Sequence, residues 1–154
     1  MELIITPSEV VRIAFAPSEF VREEAITESA ILAAQQKFIL PALNGLYDAL
    51  LAGRYPELKT GYVAPVLALY VKLLVLPALA AQAGTTGITE PRSDCFDPVS
   101  DNRLRFLLRR VRNEARALMR RLVEKIESEP ERYPEYDPKK NILHQTLSAG
   151  EIVL

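Results

Sequence analysis

Five arginines recur at helical spacing in the second half of the chain, and they are the residues best suited to binding chemistry. Steps of three and four residues place them on one stripe of an α-helix. A guanidinium group pairs bidentately with carboxylates and phosphates, so the stripe could hold acidic side chains or a nucleic-acid backbone. The stripe consists of Arg105, Arg109, Arg112, Arg116 and Arg120.

The charges around this stripe leave two hypotheses open. From Arg103 to Lys125 there are nine basic and two acidic residues, whereas Glu127 to Asp137 holds five acidic residues and Arg132. In one hypothesis the stripe faces water, or pairs with acidic residues of the tail or of a neighbouring subunit. In the other it contacts DNA phosphates without reading sequence. No aromatic residues interleave with the stripe, so we do not expect stacking on single-stranded bases.

Residues that could support catalysis or metal binding occur without a recognisable motif. His144 is the only histidine and lies in a proline-rich tail, where we expect a surface residue. Cys95 has no partner motif and is interpreted as an incidental thiol. Asp94, Asp97 and Asp101 fit no calcium-loop spacing, so turn and capping roles are expected. The sequence therefore predicts no catalytic residue, no metal site and no cofactor, and it gives no support to an enzyme.

A long helix, predicted over residues 102–128, positions the arginine stripe. Apolar residues recur along it at the same spacing, about 115° around the helix from the arginines by helical geometry. We expect this second stripe to face the core. It consists of Leu104, Leu108, Val111, Ala115, Leu118, Leu122 and Ile126.

One stretch, Tyr62 to Ala81, is apolar enough to require a membrane test. Lys72 near its centre disfavours a lipid span, because a central lysine costs about 2.5–3.5 kcal/mol on insertion scales. Pro65 and Pro77 also disfavour it. Since the other helices carry one-sided apolar stripes that need covering, the sequence favours a central buried helix and no membrane partner.

The other predicted boundaries follow from capping and breaking residues. Thr6 begins a capping box that starts one helix, and Thr27 begins another. Pro41 is expected to kink or end the second helix, and Asn44-Gly45 is a break before a short third helix. Arg54 to Gly61 is expected to be a polar connection.

Composition places the chain among globular proteins. It has 154 residues, 49% of them hydrophobic and 25% charged, with a net charge of −1 and one cysteine, which excludes an internal disulfide. We predict an all-α fold, a small bundle of about four to five helices around a central apolar helix. A long loop is expected from Gly84 to Ser100. Residues 1–138 should form a single helical domain, and residues 139–154 an extended, irregular C-terminal tail.

Three phrases of the sequence together carry a resemblance. The first spans residues 34–53 and contains Pro41 and Asn44-Gly45, the second spans residues 62–72, and the third is Tyr133-Pro134-Glu135-Tyr136-Asp137-Pro138. Their order resembles small helical proteins encoded in structural-gene clusters of tailed phages and prophages of Bacteroides-type bacteria. These in turn resemble head–tail connector, or adaptor, proteins. Asn44-Gly45 departs from the pattern, because relatives tend to have Leu-Gly there.

The resemblance covers about residues 6 to 138 and implies a non-enzymatic virion subunit. Such a subunit would self-associate, in a ring beneath the portal, and would dock between portal and tail proteins. It implies no individual functional residue. The alternative is a nucleic-acid-binding helical protein that uses the arginine stripe. The sequence therefore predicts a homo-oligomer, portal and tail partners, and non-specific contact with DNA as a further role. Its expected location is the virion, after assembly in the host cytoplasm.

Overall fold

The computed structural model describes residues 2–82, 89–92, 95–98 and 101–145 and shows the predicted all-α fold. Shorter 3-10 turns lie at Pro17–Glu19, Glu23–Ala25 and Pro138–Lys140. The α-helices are α1 (Pro7–Ala14), α2 (Glu28–Ala34), α3 (Leu40–Leu43), α4 (Gly45–Leu51), α5 (Pro56–Leu58), α6 (Ala64–Ala81) and α7 (Asp101–Ser128).

The central apolar helix is confirmed, and it is longer than the sequence indicated. Helix α5, a π-helical turn at Lys59–Val63 and helix α6 form one continuous helix, Pro56–Ala81. This helix is long and apolar enough to cross a membrane, yet 61% of its most apolar window is buried inside the protein. Helices α1, α2 and α7 pack against α6 and cover it. Such burial is typical of a core helix.

Lys72 lies within this apolar helix and is fully engaged by the protein. Its Nζ atom lies 2.9 Å from Oε1 of Glu19 and 2.9 Å from the backbone oxygen of Ala14, at the carboxyl end of α1. The same ammonium group lies 4.7 Å from the ring centroid of Phe15. The charge is therefore paired, and it ties α1 to the central helix.

Two prolines pass through helices because a π-helical turn precedes each of them. The amide of Leu40, before Pro41, donates to the carbonyl of Gln35, and the amide of Ala64, before Pro65, donates to that of Lys59. These bonds span five residues, so the turn widens where a proline ring would otherwise meet the preceding carbonyl. The sequence predicts that Pro41 kinks or ends its helix; the helix passes Pro41 after the π-helical turn and ends at Leu43.

The prediction of a polar connection from Arg54 to Gly61 is wrong. Helix begins at Pro56, with Glu57 in the first turn, and reaches Val63 through the π-helical turn. Proline at the first helical position followed by an acidic residue is a helix-start signal that favours this outcome. The capping box of Thr6 and Glu9 and the cap at Thr27 are confirmed.

The segment predicted as a long loop contains a short hairpin. Strands β1 (Thr89–Arg92) and β2 (Cys95–Pro98) pair antiparallel, with Thr89 opposite Pro98 and Arg92 opposite Cys95. No alternation of apolar and polar residues in this segment predicts strands. Of the three candidate aspartates, Asp97 lies in β2, Asp101 begins α7, and Asp94 lies outside the described residues.

The break at Asn44-Gly45 is confirmed, and it docks the C-terminal segment. The side chain of Asn44 donates to the backbone oxygen of Asp137 at 3.1 Å and accepts from the Asp137 amide at 2.9 Å. The side-chain amide of Asn44 thus donates one hydrogen bond to the backbone of Asp137 and accepts one from it, as a backbone peptide group in a β-ladder would. A Cβ atom on Gly45 would lie 2.5 Å from the backbone oxygen of Glu135. Only glycine therefore lets the tail approach this closely.

Three residues with positive φ surround this docking point. Asn44 has φ 44° and ψ −120°, Gly53 has φ 78°, and Tyr55 has φ 57°. Tyr55 donates a hydrogen bond to Oε2 of Glu135 at 2.8 Å, and its ring packs edge-on against Tyr133. At the two non-glycine residues, Asn44 and Tyr55, such backbone conformations cost about 1–3 kcal/mol each and persist only where surrounding contacts hold them. The tail supplies several of those contacts.

Packing continues past the predicted domain boundary at residue 138. Asn141 is fully buried, and its side-chain amide donates to the hydroxyl oxygen of Tyr136 at 2.8 Å. Residues 142–145 form a last helical turn. The predicted extended tail is otherwise outside the described residues.

We expect Gly45→Ala to destabilise the protein. The added methyl group must displace the backbone of Glu135, and overpacking of this kind costs about 1–3 kcal/mol. Gly61→Ala is the matched control, because Gly61 lies in a helical turn with nothing within 4 Å of the added atom. The control should be neutral or stabilising by up to about 1 kcal/mol. Thermal and urea unfolding measure both, and equal stabilities would contradict the docking contact.

Candidate functional site

The predicted arginine stripe lies on the solvent side of α7. All five of its members, Arg105 to Arg120, are exposed. None of them forms an ion pair with any residue in the described part of the chain. Glu114, the one acidic residue between Arg105 and Arg120, pairs instead with Arg110 at 3.5 Å. The structure therefore brings the five guanidinium groups together as one exposed basic surface.

This arrangement has an energetic cost within a single chain. Arg105 and Arg109, Arg112 and Arg116, and Arg116 and Arg120 are like-charge pairs four residues apart. Each such pair destabilises a helix by about 0.2–0.5 kcal/mol. A partner that brings carboxylates or phosphates would offset this repulsion, because arginine binds both groups through paired hydrogen bonds.

The predicted seam of α7 faces the core. Val111, Ala115, Leu122 and Ile126 are buried, and the other predicted members, Leu104, Leu108 and Leu118, are half-buried and pack against the core. Burial of two further residues was not predicted. These are Met119 and Val123.

The first ten residues of α7 contain no buried side chain. Phe106, next to the stripe, is 63% exposed. This helix end carries apolar surface beside the basic surface. Aromatic residues and arginines are enriched at protein interfaces.

The acidic tail does not supply partners for the stripe, contrary to one part of the sequence hypothesis. Glu129 pairs with Lys125 at 2.5 Å and with Arg132 at 3.3 Å. Glu135 pairs with Arg54 at 2.5 Å. Glu129 and Glu135 are thus paired within the chain, because the tail folds back on the loop at Arg54 and on the end of α7.

His144, which the sequence placed on the surface, belongs to a polar cluster at the end of α7. Its Nε2 atom lies 2.6 Å from Oε1 of Glu127, and the hydroxyl of Tyr136 donates to the same oxygen at 2.8 Å. The His144 side chain is 44% exposed. Sequence reasoning missed the cluster, because its members come together only when the tail packs.

An open cavity of about 460 Å³ adjoins this cluster. Its walls are mainly apolar, from Ile126, Pro130 and Tyr133, with Lys139 at the polar side. Within the described ranges, no group of three or more histidine, cysteine or acidic residues is arranged to hold a metal ion. The side chain of Cys95 lies outside the described residues. The geometry thus provides a polar cluster beside a groove.

Residues 25–146 match a family of unknown function (DUF6712), and the chain belongs to this family. The match includes α2 through α7 and the docked tail segment. No curated protein and no solved structure matches the chain. Membership therefore assigns the chain to a family without assigning an activity.

We expect protein stability to fall above pH 10, in part because of Tyr136. Burial, and then the Glu127 carboxylate, raise the pKa of Tyr136 well above its ordinary value of 10.0, against the opposing hydrogen bond from Asn141. A raised pKa means that the neutral phenol stabilises the fold below pH 10. That contribution is lost as the pH rises through the raised value.

Tyr136→Phe tests this expectation. The variant should lose about 1–3 kcal/mol at pH 7, because the buried Asn141 amide loses its acceptor. Its stability should then depend less steeply on pH above 10 than that of the wild type. Tyr62→Phe is the control, since the Tyr62 hydroxyl makes no hydrogen bond to any residue in the described ranges. Urea midpoints across neutral and alkaline pH measure both, and an unchanged alkaline slope in Tyr136→Phe would contradict the assignment.

Proposed function

We propose that the chain is a non-enzymatic structural subunit of a tailed phage or prophage, a head–tail connector. In this proposal it associates with copies of itself in a ring and docks between portal and tail proteins in the virion. The proposal starts from the resemblance carried by residues 34–53, 62–72 and 133–138. Family membership neither adds to it nor opposes it, because the family has no assigned function.

The observation that best supports an assembly role is the exposed basic surface of α7. Five arginines share one face without an acidic partner in the described chain. A subunit whose charges are balanced only across an interface would carry such a surface. Arginine is also enriched at interfaces, where its planar group forms paired hydrogen bonds with carboxylates.

The non-enzymatic part of the proposal is supported by the use of the polar residues in the docked tail. Two tyrosine hydroxyls hold the tail in place. Tyr55 donates a hydrogen bond to Glu135, and Tyr136 donates one to Glu127. Asn44 likewise binds the backbone of the tail. These groups support the fold, and their positions need no substrate to explain them.

Nucleic-acid binding by the same stripe is the second candidate function. The observation that favours it is the spacing of the five arginines, which lie along about four turns of one exposed helix face. A row of this kind can follow a phosphate backbone and bind without base contacts. In a ring that encloses DNA, the two functions would use one surface.

We expect the molar mass of the protein to rise with concentration. Light scattering after size exclusion should show species larger than the 17.2 kDa chain at near-millimolar concentration and low salt. High salt should reverse the association if charged surfaces drive it. A monomer under all of these conditions would contradict self-association.

The second candidate predicts salt-dependent binding to duplex DNA of random sequence. If all five arginines contact phosphates, the logarithm of the binding constant should fall with the logarithm of salt concentration with a slope of about −4.5. Fluorescence anisotropy of a labelled duplex measures the slope. Absence of binding at low salt would reject this function.

A further inference from the structure

We infer that copies of the chain associate head to tail, with the arginine stripe and Phe106 of one copy against an acidic face of the next. This inference rests on the self-association proposed above, and it names the two surfaces. The acidic face consists of Glu23, Glu24 and Glu28, together with Phe20.

The acidic face, like the basic one, carries an excess of one charge. Glu23 and Glu24 lie in the 3-10 turn Glu23–Ala25, Glu28 is the first residue of α2, and all three side chains are exposed. In the described part of the chain, none of the three forms an ion pair. Glu19, just before them, differs because it is bound to Lys72. The exposed Arg22 offsets one charge, so the face keeps a net negative charge.

Each face also carries an exposed phenylalanine. Phe20 is 77% exposed, and Phe106 is 63% exposed. Phe20 has a left-handed backbone with φ 51°, a conformation that costs a residue of this type about 1–2 kcal/mol. A strained backbone that presents an aromatic ring to solvent is consistent with a ring that becomes buried in a contact. Aromatic side chains in a desolvated pocket are frequent anchors of protein interfaces.

The two faces lie on elements that pack on the central helix from different directions. Helix α7 packs on α6 and on the turn Lys59–Val63, whereas α1 and α2 pack on α6, and the turn Glu23–Ala25 packs on α1. Helix α7 has no substantial contact with α1 or α2. The two charged faces of one chain therefore do not pair with each other.

This placement favours a heterologous contact over a two-fold one. Across a two-fold axis the stripe would either face itself, which brings like charges together, or meet the acidic face twice in one interface. The second arrangement needs both faces side by side, whereas they lie on elements that have no substantial contact with each other. A contact between the stripe of one copy and the acidic face of the next leaves one free face at each end. Repetition of such a contact gives a closed ring or a chain of subunits.

A protein partner explains the exposed apolar surface better than DNA does. The phosphate backbone offers the ring of Phe106 nothing to pack against, whereas burial of aromatic surface contributes to protein association. Opposite charges at the rim would orient the two copies and speed their encounter. The stripe, the acidic face and the two phenylalanines thus fit one contact between copies.

The test uses two charge-reversed variants of the full chain. Arg109→Glu, Arg112→Glu and Arg116→Glu together leave two arginines against three glutamates and so reverse the basic face, and Glu23→Arg with Glu24→Arg reverses the acidic face. Each variant alone should remain monomeric, at 17.2 kDa, at concentrations where the wild type forms species larger than a dimer. An equal mixture of the two should again form species larger than a dimer. The two intact faces still attract each other, and the two reversed faces are opposite in sign and attract each other as well.

The controls change the same charges elsewhere. Lys139→Glu with Lys140→Glu, and Glu131→Arg, alter exposed residues outside both faces and should associate as the wild type does. Circular dichroism and thermal unfolding of every variant separate lost association from lost folding.

The outcomes distinguish this contact from the wider proposal. A wild type that stays monomeric at every concentration overturns both the contact and the proposed self-association. If the wild-type protein forms a dimer and nothing larger, only the head-to-tail contact is overturned. The same holds if both charge-reversed variants form the same oligomer as the wild type. Loss of DNA binding on reversal of the stripe, with association unchanged, also overturns the contact and assigns the stripe to DNA.

Discussion

The fold depends on covering one helix, Pro56–Ala81, that is apolar around most of its circumference. Such a helix is stable in water only if neighbours remove its surface from solvent, since burial of apolar area is the main favourable term in folding. Helices α1, α2 and α7 meet this need from different directions. Even Lys72 is accommodated, because the end of α1 and Glu19 surround its ammonium group.

A second constraint closes the chain on itself at Asn44-Gly45. The break is a helix end with strained backbone, and its polar groups and missing side chain are used by a segment more than ninety residues later. Tyr55 and Glu135 add a hydrogen bond beside it. Two of the phrases that carried the resemblance therefore meet in space and have a shared structural role. Docking of the tail therefore explains these two phrases, and they do not identify a function.

Docking of the tail also determines which charges are left for partners. Glu129 and Glu135 of the tail pair with Lys125, Arg132 and Arg54 within the chain. The arginine stripe has no comparable partner among the described residues, and neither have the exposed acids at Glu23 and Glu24. The net charge of −1 hides this separation, because basic and acidic surfaces cancel in the total. The proposed head-to-tail contact follows from that separation.

The sequence alone determined the elements whose signals are local. The helical fold, the central apolar helix, the caps at Thr6 and Thr27, and the arginine spacing follow from periodicity and capping chemistry, which act over a few residues. Only the tertiary structure decided that helix continues past Pro41, because a π-helical turn and packing accommodate a residue that usually breaks a helix. It also decided that Glu135 of the tail pairs with Arg54 and that Asn44 binds the backbone of Asp137. Those contacts join residues far apart in sequence, and no local pattern encodes which distant groups a folded chain brings together.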